Sequence, residues 1–265
     1  MKYFSNIVRN LRFYFLTQKY KWMQIITYRT QMISWMFMKS IGTISIFISI
    51  SVIYSVSNGF PGWTYFQLLA LAGITQITTG FLFYMINPYK FIESMRNGGI
   101  DQLFLKPYNL ILDIFATYGS PYETGDIITG GLLLVYALTQ IKFNIITLLV
   151  YIPMYVIGVA VLVFTVLTIT LISYIKLKSG DYINRSISIA LNAAKYPLNI
   201  YGIMGMIFLS LLVPISFASF FPAMVLLGKI NFTEAGLIIL ITSIMAIFFY
   251  AVSTRLLKYY ESGGG

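Results

Sequence analysis

Three charged side chains lie within otherwise apolar stretches, and they are the residues of this sequence best placed to do chemistry. Glu123 and Asp126 are three positions apart, so on a helix both carboxylates project from one face. Lys39 lies about 10 Å of helix rise into another apolar stretch. Ionisable groups at membrane depth pair with each other or line a pathway, whereas a long lysine can also reach the interface. The sequence leaves open an interhelical ion pair, a polar pathway, a snorkelling Lys39 and carboxylates that are wet at the inner surface.

Other catalytic chemistry is scarce in this chain. It contains no Cys and no His, which removes disulfides, thiolate nucleophiles, the usual zinc sites and histidine general bases. The Gly-Lys pair at 228–229 is followed by isoleucine, so the hydroxyl of a phosphate-binding loop is missing. The Thr-Gly-Asp run at 124–126 lacks the first glycine of the Gly-x-Gly-Asp signature of intramembrane aspartyl proteases. We therefore predict no catalytic residue, no metal and no cofactor in this chain.

Long apolar stretches must position these charges. The 265 residues are 58% hydrophobic and 10% charged, whereas soluble domains are about a quarter charged. A helix needs about 20 mostly apolar residues to cross a bilayer. Six stretches approach that length, the third being the weakest, and they are centred on 32–56, 62–86, 119–139, 145–173, 198–220 and 234–254. We predict an all-α membrane protein with six transmembrane helices in one domain over residues 1–261, and a tag or linker remnant at 262–265.

The basic residues predict the orientation of these spans. Of the 18 Lys and Arg residues, only Lys142 and Lys229 fall on the opposite side of the six-span arrangement from all the others. Because basic residues in short loops stay in the cytoplasm, we expect both termini there and the chain in the cell membrane. The net charge is +10, and the basic residues responsible for it flank the spans. This position indicates contact with anionic lipid rather than with nucleic acid.

Residues 1–21 predict a helix that lies in the membrane interface. Helical spacing divides them into an apolar stripe and a basic, polar stripe, which is typical of interfacial helices. The apolar stripe consists of Phe4, Ile7, Val8, Leu11, Tyr14 and Phe15. The polar stripe consists of Lys2, Ser5, Asn6, Arg9, Asn10, Arg12 and Lys19. A cytoplasmic helix packed on a partner is the alternative.

Residues 214–233 predict a re-entrant element between spans five and six. The apolar run from 198 to 228 is too long for one crossing, and Pro214 interrupts it because proline breaks a helix interior. The run continues through Phe221 and Pro222 to Gly228. We expect a short element that dips back into the outer leaflet; a kinked helix followed by a loop is the alternative. Between spans four and five, residues 174–197 are predicted to form a cytoplasmic loop.

A cytoplasmic segment at residues 87–109, which we call the coupling segment, comes after the second span. Pro88 ends that span, the glycine pair at 98–99 permits a sharp reversal and Pro107 terminates the stretch after the reversal. Between the two prolines the sequence predicts a short helix that mixes charged residues with exposed apolar ones. Such a helix is suited to insertion into a groove on a soluble partner.

This segment carries a resemblance to a known family. It resembles the type-2, six-span permease subunits of ATP-binding-cassette exporters, in the subgroup with a glycine, Leu/Ile-Asp, leucine and a closing Arg/Lys-Pro after the second span. The matching residues are Gly99, Ile100, Asp101, Leu103, Leu105, Lys106 and Pro107. A second likeness is carried by Tyr196, Pro197, Ile200, Tyr201, Pro214, Phe217, the run 221–223 and the run 226–228. The order of spans is similar over nearly the whole chain, although Glu123 and Asp126 depart from the family pattern.

The resemblance implies a permease subunit that forms the substrate pathway with a second, identical or related permease. Separate cytoplasmic ATPase subunits would hold ATP and magnesium and would receive the coupling segment. Residues 1–21 would be the elbow helix, and the re-entrant element would include Pro214, Phe221, Pro222 and Gly228. The residues assigned to ATPase coupling are Glu93, Arg96, Gly98, Gly99, Asp101, Leu105, Lys106 and Pro107.

A different class of protein stays open. A secondary carrier or channel would use Glu123 and Asp126 for ions or protons and would need no ATPase. The resemblance favours the ATP-driven permease, and export over import. An apolar pathway suits lipids, hydrophobic drugs, peptides and lipid-linked glycans alike.

Overall fold

The computed structural model describes residues 2–56, 59–142, 144–177 and 181–260. It is 84% helical, and these ranges contain no β-strand, which confirms the predicted all-α class. The remnant predicted at 262–265 lies outside the described residues.

Twelve α-helices occur within the described ranges. They are α1 (Lys2–Thr27), α2 (Arg29–Val56), α3 (Tyr65–Met85), α4 (Pro88–Arg96), α5 (Asp101–Phe104), α6 (Leu110–Tyr118), α7 (Thr124–Thr139), α8 (Ile145–Ile172), α9 (Asp181–Ala193), α10 (Gly202–Ile207), α11 (Phe220–Leu226) and α12 (Phe232–Leu256). Short 3-10 helices cover Pro121–Glu123, Leu198–Tyr201, Ile215–Phe217 and Leu257–Tyr259, and π-helical turns cover Ser173–Leu177 and Phe208–Leu212.

Four helices are long and apolar enough to cross a membrane, and a bent pair raises the number to five. The four correspond to the first, second, fourth and sixth predicted spans. The third predicted span is helical, but α7 has only 16 residues, fewer than the roughly 20 that a crossing needs. The six-span count therefore stays a prediction, while a multi-pass arrangement is clear.

The fifth predicted span is not one continuous helix. Leu198–Leu212 and Ile215–Leu226 meet at 77°. The break follows from Pro214, which has no N–H to continue the helix. A second irregularity precedes it, since Gly202 has φ +63° at the start of α10. Pro214 and the left-handed Gly202 therefore interrupt the stretch that the sequence predicts as the fifth span.

The arm after the break packs along α8 and α3. Thr78 in α3 donates a hydrogen bond to the carbonyl of Ala218 at 2.9 Å, and Thr147 in the first turn of α8 donates one to Leu226 at 3.3 Å. Gly158 makes this approach possible, because a Cβ there would overlap the carbonyl oxygen of Phe217. The arm therefore packs closely against both α3 and α8.

The segment predicted as a cytoplasmic loop at 174–197 is mostly helical. Its helix α9 is followed by Ala194, whose carbonyl accepts a hydrogen bond of 2.9 Å from Thr75. Thr75 lies about 15 Å of helix rise from the start of α3, near the middle of that helix. Tyr196 then contacts Phe60 with ring centroids 6.5 Å apart. The end of α9 therefore reaches the interior of the bundle.

Helices α3 and α7 pack closely through small residues. A Cβ on Gly73 would lie 2.9 Å from the backbone nitrogen of Leu134, and one on Gly80 would lie 2.7 Å from Ile127. Gly130 on α7 returns the same contact toward α3. Small residues let helix backbones approach and increase van der Waals contact, the main source of association within a bilayer. The pair forms a tight unit that carries Gln76 on one helix and Asp126 on the other.

Candidate functional site

The coupling segment begins immediately after α3. Helix α3 ends at Met85 and α4 begins at Pro88, so two residues connect them. The Asn87 side chain caps α4 by accepting hydrogen bonds from the amides of Tyr89 and Lys90 at 3.1 and 3.2 Å. Pro88 occupies the first helical turn, where its missing N–H costs nothing. A defined, short junction therefore joins the membrane helix to the coupling segment.

A glycine pair reverses the chain between α4 and α5. Gly98 has φ +68°, a conformation that suits glycine. The amide of Gly99 donates a 2.8 Å hydrogen bond to the carbonyl of Ser94. A Cβ at Gly99 would overlap the Ser94 hydroxyl, which itself lies 2.5 Å from the hydroxyl of Tyr118. The backbone therefore favours glycine at 98, and at 99 a larger residue would displace the Ser94 hydroxyl.

The segment has one buried and one exposed face. The buried side chains are Phe91, Ile92, Met95, Ile100 and Leu103. Among the exposed side chains are five that we call the coupling face, namely Tyr89, Glu93, Arg96, Phe104 and Leu105. Leu105 is 86% exposed, and Tyr89 and Phe104 are each 46% exposed. Apolar side chains that stand out beside opposite charges on a polar surface are typical of a docking site.

Three of the predicted coupling residues make internal contacts instead. Asp101 hydrogen-bonds to Tyr260, and the pKa of Tyr260 is raised to about 12 by burial and then by the negative charge of Asp101. Lys106 pairs with the buried carboxylate of Asp113 at 3.0 Å. The carbonyl of Pro107 accepts a 3.1 Å hydrogen bond from Arg9. These residues hold the coupling segment in place, whereas the coupling face projects from it.

Helix α1 lies against α6 and the end of the coupling segment. The rings of Phe13 and Tyr108 stack with centroids 4.0 Å apart. Lys21 donates hydrogen bonds to the carbonyls of Thr117 and Gly119 at 2.9 and 2.7 Å. Burial, with a smaller effect from the positive charge of Lys90, lowers the pKa of Lys21 to about 8.

The apolar stripe predicted on the N-terminal helix is largely exposed. Ile7, Val8, Leu11 and Phe15 lie on the surface, with Phe15 65% exposed, while Tyr14 packs against the core. Helix α1 extends to Thr27 and is therefore longer than the predicted 1–21. An outward apolar stripe on a helix docked at the base of the bundle suits a position in the membrane interface. The side chain of Phe4 lies outside the described residues.

The structure joins the three charges that the sequence singles out. Lys39 on α2 pairs with Glu123 at 2.6 Å and with Asp126 at 2.5 Å. The side chains are 20%, 13% and 13% exposed, respectively. Gly125 makes room, because a Cβ there would lie 3.0 Å from Cγ of Lys39. This ion triad ties α2 to the start of α7, so Lys39 is directed at carboxylates within the protein.

Sequence reasoning missed Gln76, which extends the ion triad into α3. Its side-chain amide donates to the hydroxyls of Thr43 and Thr129 at 2.7 and 3.0 Å, with a longer 3.4 Å contact to Asp126. Gln76 is 4% exposed, and its Oε1 has no hydrogen-bond partner. A single amide in the middle of an apolar run was the available signal, because such a group is costly to bury unless it is bonded.

Comparison with known proteins identifies the family of this chain. No curated protein and no solved structure matches the chain. The family model described as ABC-2 family transporter protein matches residues 40–263, which include the two carboxylates of the ion triad, the coupling segment and the bent fifth region. Such proteins are the membrane components of transporters and are not enzymes by themselves. The multi-pass helical chain therefore belongs to the ABC-2 transporter family, as a type-2 permease subunit.

Proposed function

We propose that this chain is the permease subunit of an ATP-driven exporter in the cell membrane, with both termini in the cytoplasm. It forms the substrate pathway with a second permease and couples to separate cytoplasmic ATPase subunits, which hold ATP and magnesium. One observation carries the proposal: the coupling face stands on a segment that is joined to α3 through a two-residue connection. A movement imposed on that face passes to a membrane helix as a rigid-body displacement.

Contacts at both ends of the coupling segment support this role. Phe104 stacks on Tyr260 with ring centroids 5.8 Å apart and an interplanar angle of 8°. The Tyr260 hydroxyl also lies 3.4 Å from the carbonyl oxygen of Met95. At the other end, Arg9 and Asn10 of α1 bond to the backbone of Pro107 and Asn109. The coupling segment therefore moves together with the C-terminal end of α12 and with the proposed elbow helix α1.

The exposed apolar surfaces support membrane embedding and a paired permease. Only 6% of the most apolar 18-residue stretch of α2 is buried within the protein. The corresponding share for the span that contains α12 is 11%. In a bilayer these faces meet lipid or another permease. We assign the arm at 215–226, which packs against α3 and α8, to the re-entrant element proposed at 214–233. Lys142 and Lys229 lie at the end of the helical bundle opposite the coupling segment, which is the outer end in the proposed orientation.

A carrier without an ATPase is not favoured. Its proposed ion ligands, Glu123 and Asp126, both pair with Lys39 inside the protein. Family membership also points to an ATP-binding partner. A carrier would show gradient-driven flux without such a partner and would lose it when either acid is neutralised.

The first experiment tests the coupling face. Co-expression with the cognate ATPase subunits is followed by affinity purification and by measurement of substrate-stimulated ATP hydrolysis in proteoliposomes. Leu105→Glu places a carboxylate in the apolar part of the contact, so we expect co-purification to fall at least about tenfold. Phe232→Glu, an exposed apolar-to-acid change at the start of α12, is the matched control and should leave co-purification unchanged. Equal co-purification of the Leu105→Glu and wild-type chains would contradict the proposal.

A second variant tests transmission. We expect Asp101→Arg to uncouple ATP hydrolysis from transport while membrane insertion stays normal. Tyr260→Phe is its control, because it removes the hydrogen bond to Asp101 without changing charge. Normal substrate-stimulated hydrolysis in the Asp101→Arg chain would rule out this assignment.

A further inference from the structure

A polar cavity of about 230 Å³ lies between α2, α3, α7 and α9. Its apolar lining comes from residues such as Gly42, Ile46 and Phe83. Its polar lining consists of Gln76, Thr79, Asp126, Ser188, Asn192 and Lys195. Polar groups that converge at this depth in a membrane protein mark a ligand or solute site.

Lys195 is the first unusual group in this cavity. Its ammonium donates a 2.8 Å hydrogen bond to the side-chain oxygen of Asn192. It makes no ion pair with any carboxylate whose side chain the structure describes. The carbonyl of the preceding residue, Ala194, accepts a hydrogen bond from Thr75 near the middle of α3, so the half-buried Lys195 lies at that level of the bundle. Lys195 therefore has an amide acceptor but no carboxylate in direct contact, so its ammonium can pair with an anionic group from outside the chain.

Gln76 is the second unusual group. Its side chain is almost completely buried, and its Oε1 accepts no hydrogen bond. The assignment of oxygen and nitrogen is set by the neighbours, because the amide nitrogen faces Asp126 Oδ1 at 3.4 Å. A buried amide oxygen without a donor costs about 1–3 kcal/mol. A hydrogen-bond donor on a ligand in the cavity that Gln76 lines would remove this cost.

The charges around the cavity sum to zero but are separated. Asp126 forms part of the ion triad on one side, and its negative charge acts on Lys195 on the other. With Lys39 and Glu123 the group holds two cations and two anions. A ligand with a net charge would upset this balance in a region where uncompensated charge is expensive. A ligand that carries one anion and one cation would not.

We propose that this cavity binds a small zwitterion, with its anionic group at Lys195 and its ammonium at Gln76 Oε1 and Asp126. The ligand is either the headgroup of a zwitterionic phospholipid or a free solute of the same chemistry. The binding itself needs no ATPase, whereas its use as a step in export rests on the proposed function. Helices α9 and α2 contribute Ser188 and Gly42 to the lining of this cavity.

Equilibrium binding to the purified permease tests this inference. The probes are glycerophosphoethanolamine, dihexanoyl phosphatidylethanolamine and dihexanoyl phosphatidylglycerol, the last of which lacks the ammonium. We expect saturable binding of a zwitterion, and at least about tenfold weaker binding by Lys195→Gln, because a charge-assisted hydrogen bond is lost. Lys195→Arg keeps the cation and should bind within about threefold of wild type. Lys229→Gln, a lysine outside the cavity, should bind as wild type does.

The outcomes separate the sources and the hypotheses. Binding of the short-chain lipid alone assigns a lipid headgroup, and binding of glycerophosphoethanolamine as well assigns a soluble zwitterion. Equal binding of phosphatidylglycerol would overturn the ammonium half of the inference. No saturable binding of either zwitterion, or unchanged binding in a folded Lys195→Gln chain, would overturn the whole. Co-purification with the ATPase would stand in either case, so the proposed function fails or survives separately.

Discussion

Removing the cation of the ion triad should destabilise the permease sharply. Lys39→Met leaves Glu123 and Asp126 side by side with only 13% of each side chain exposed. Breaking a fully buried pair by removing one partner costs about 3–5 kcal/mol, while exposed pairs contribute about 0–1 kcal/mol. The partial exposure of the triad places the expected loss at about 2–3 kcal/mol. For a chain of this size that corresponds to a fall in melting temperature of about 4–6 °C.

The assay is thermal unfolding of the detergent-purified permease, followed by tryptophan fluorescence. Neutralising the stranded carboxylates in a triple variant with Glu123→Gln and Asp126→Asn should recover at least half of the loss. Lys142→Met, which removes an exposed lysine, serves as the control and should melt like wild type. If Lys39→Met melts within about 1 °C of wild type, or if the triple variant is no better than the single one, then the buried charges do not set stability in this way.

Three further predictions test packing, protonation and topology. Gly158→Ala should cost about 1–3 kcal/mol in thermal unfolding, because the added methyl overlaps the carbonyl oxygen of Phe217. Burial lowers the pKa of Lys21 from its ordinary value of 10.5 to about 8. Between these two values the unfolded chain therefore binds more protons than the folded chain. Stability should then rise with pH between about 8 and 10, and Lys21→Met should remove that rise. Gln102→Cys in intact cells should react with an impermeant maleimide only after permeabilisation, and the chain has no other cysteine.

Each of these predictions has a matched control. Gly236→Ala has open space around its Cβ and should be neutral or stabilising, because alanine favours a helix. Lys19→Met, two residues from Lys21 and exposed, should keep the pH-dependent rise. Lys142→Cys should react in intact cells without permeabilisation. Labelling of Gln102→Cys from outside would reverse the proposed orientation, and an alanine at 158 that melts like wild type would contradict the close contact.

Much of the helical frame was predictable from hydropathy. The stretch predicted at 32–56 became Arg29–Val56, and that at 145–173 became Ile145–Ile172. These helices are apolar over nearly their whole length, so composition alone identifies them. The predicted reversal at the glycine pair was also readable, since glycine at φ +68° has a local cause.

The segment at 174–197, which was predicted as a loop, could not be predicted in the same way. The sequence 181–193 alternates polar and apolar residues, so hydropathy indicates a surface loop or helix. Its depth in the bundle depends on the hydrogen bond between Thr75 and the carbonyl of Ala194, residues 119 positions apart. No local pattern reveals such a contact.

The ion triad was half predictable. The charges stood out in the sequence, but the choice between snorkelling and pairing depends on how α2 crosses α7. Gly125 decides this locally, because the missing side chain lets Lys39 lie across α7. Gln76 escaped notice because a single amide has no periodic pattern and its partners come from two other helices.

The glycine-lined contact between α3 and α7 has a mechanical consequence. Two helices whose backbones touch through Gly73, Gly80 and Gly130 cannot slide or bend apart without losing packing along their shared length. The two helices therefore behave as one rigid unit, and α4 is joined to one end of it. The ion triad links α2 to the same unit. A small tilt at the end that carries α4 would therefore move three helices at once, and their opposite ends would travel the greatest distance.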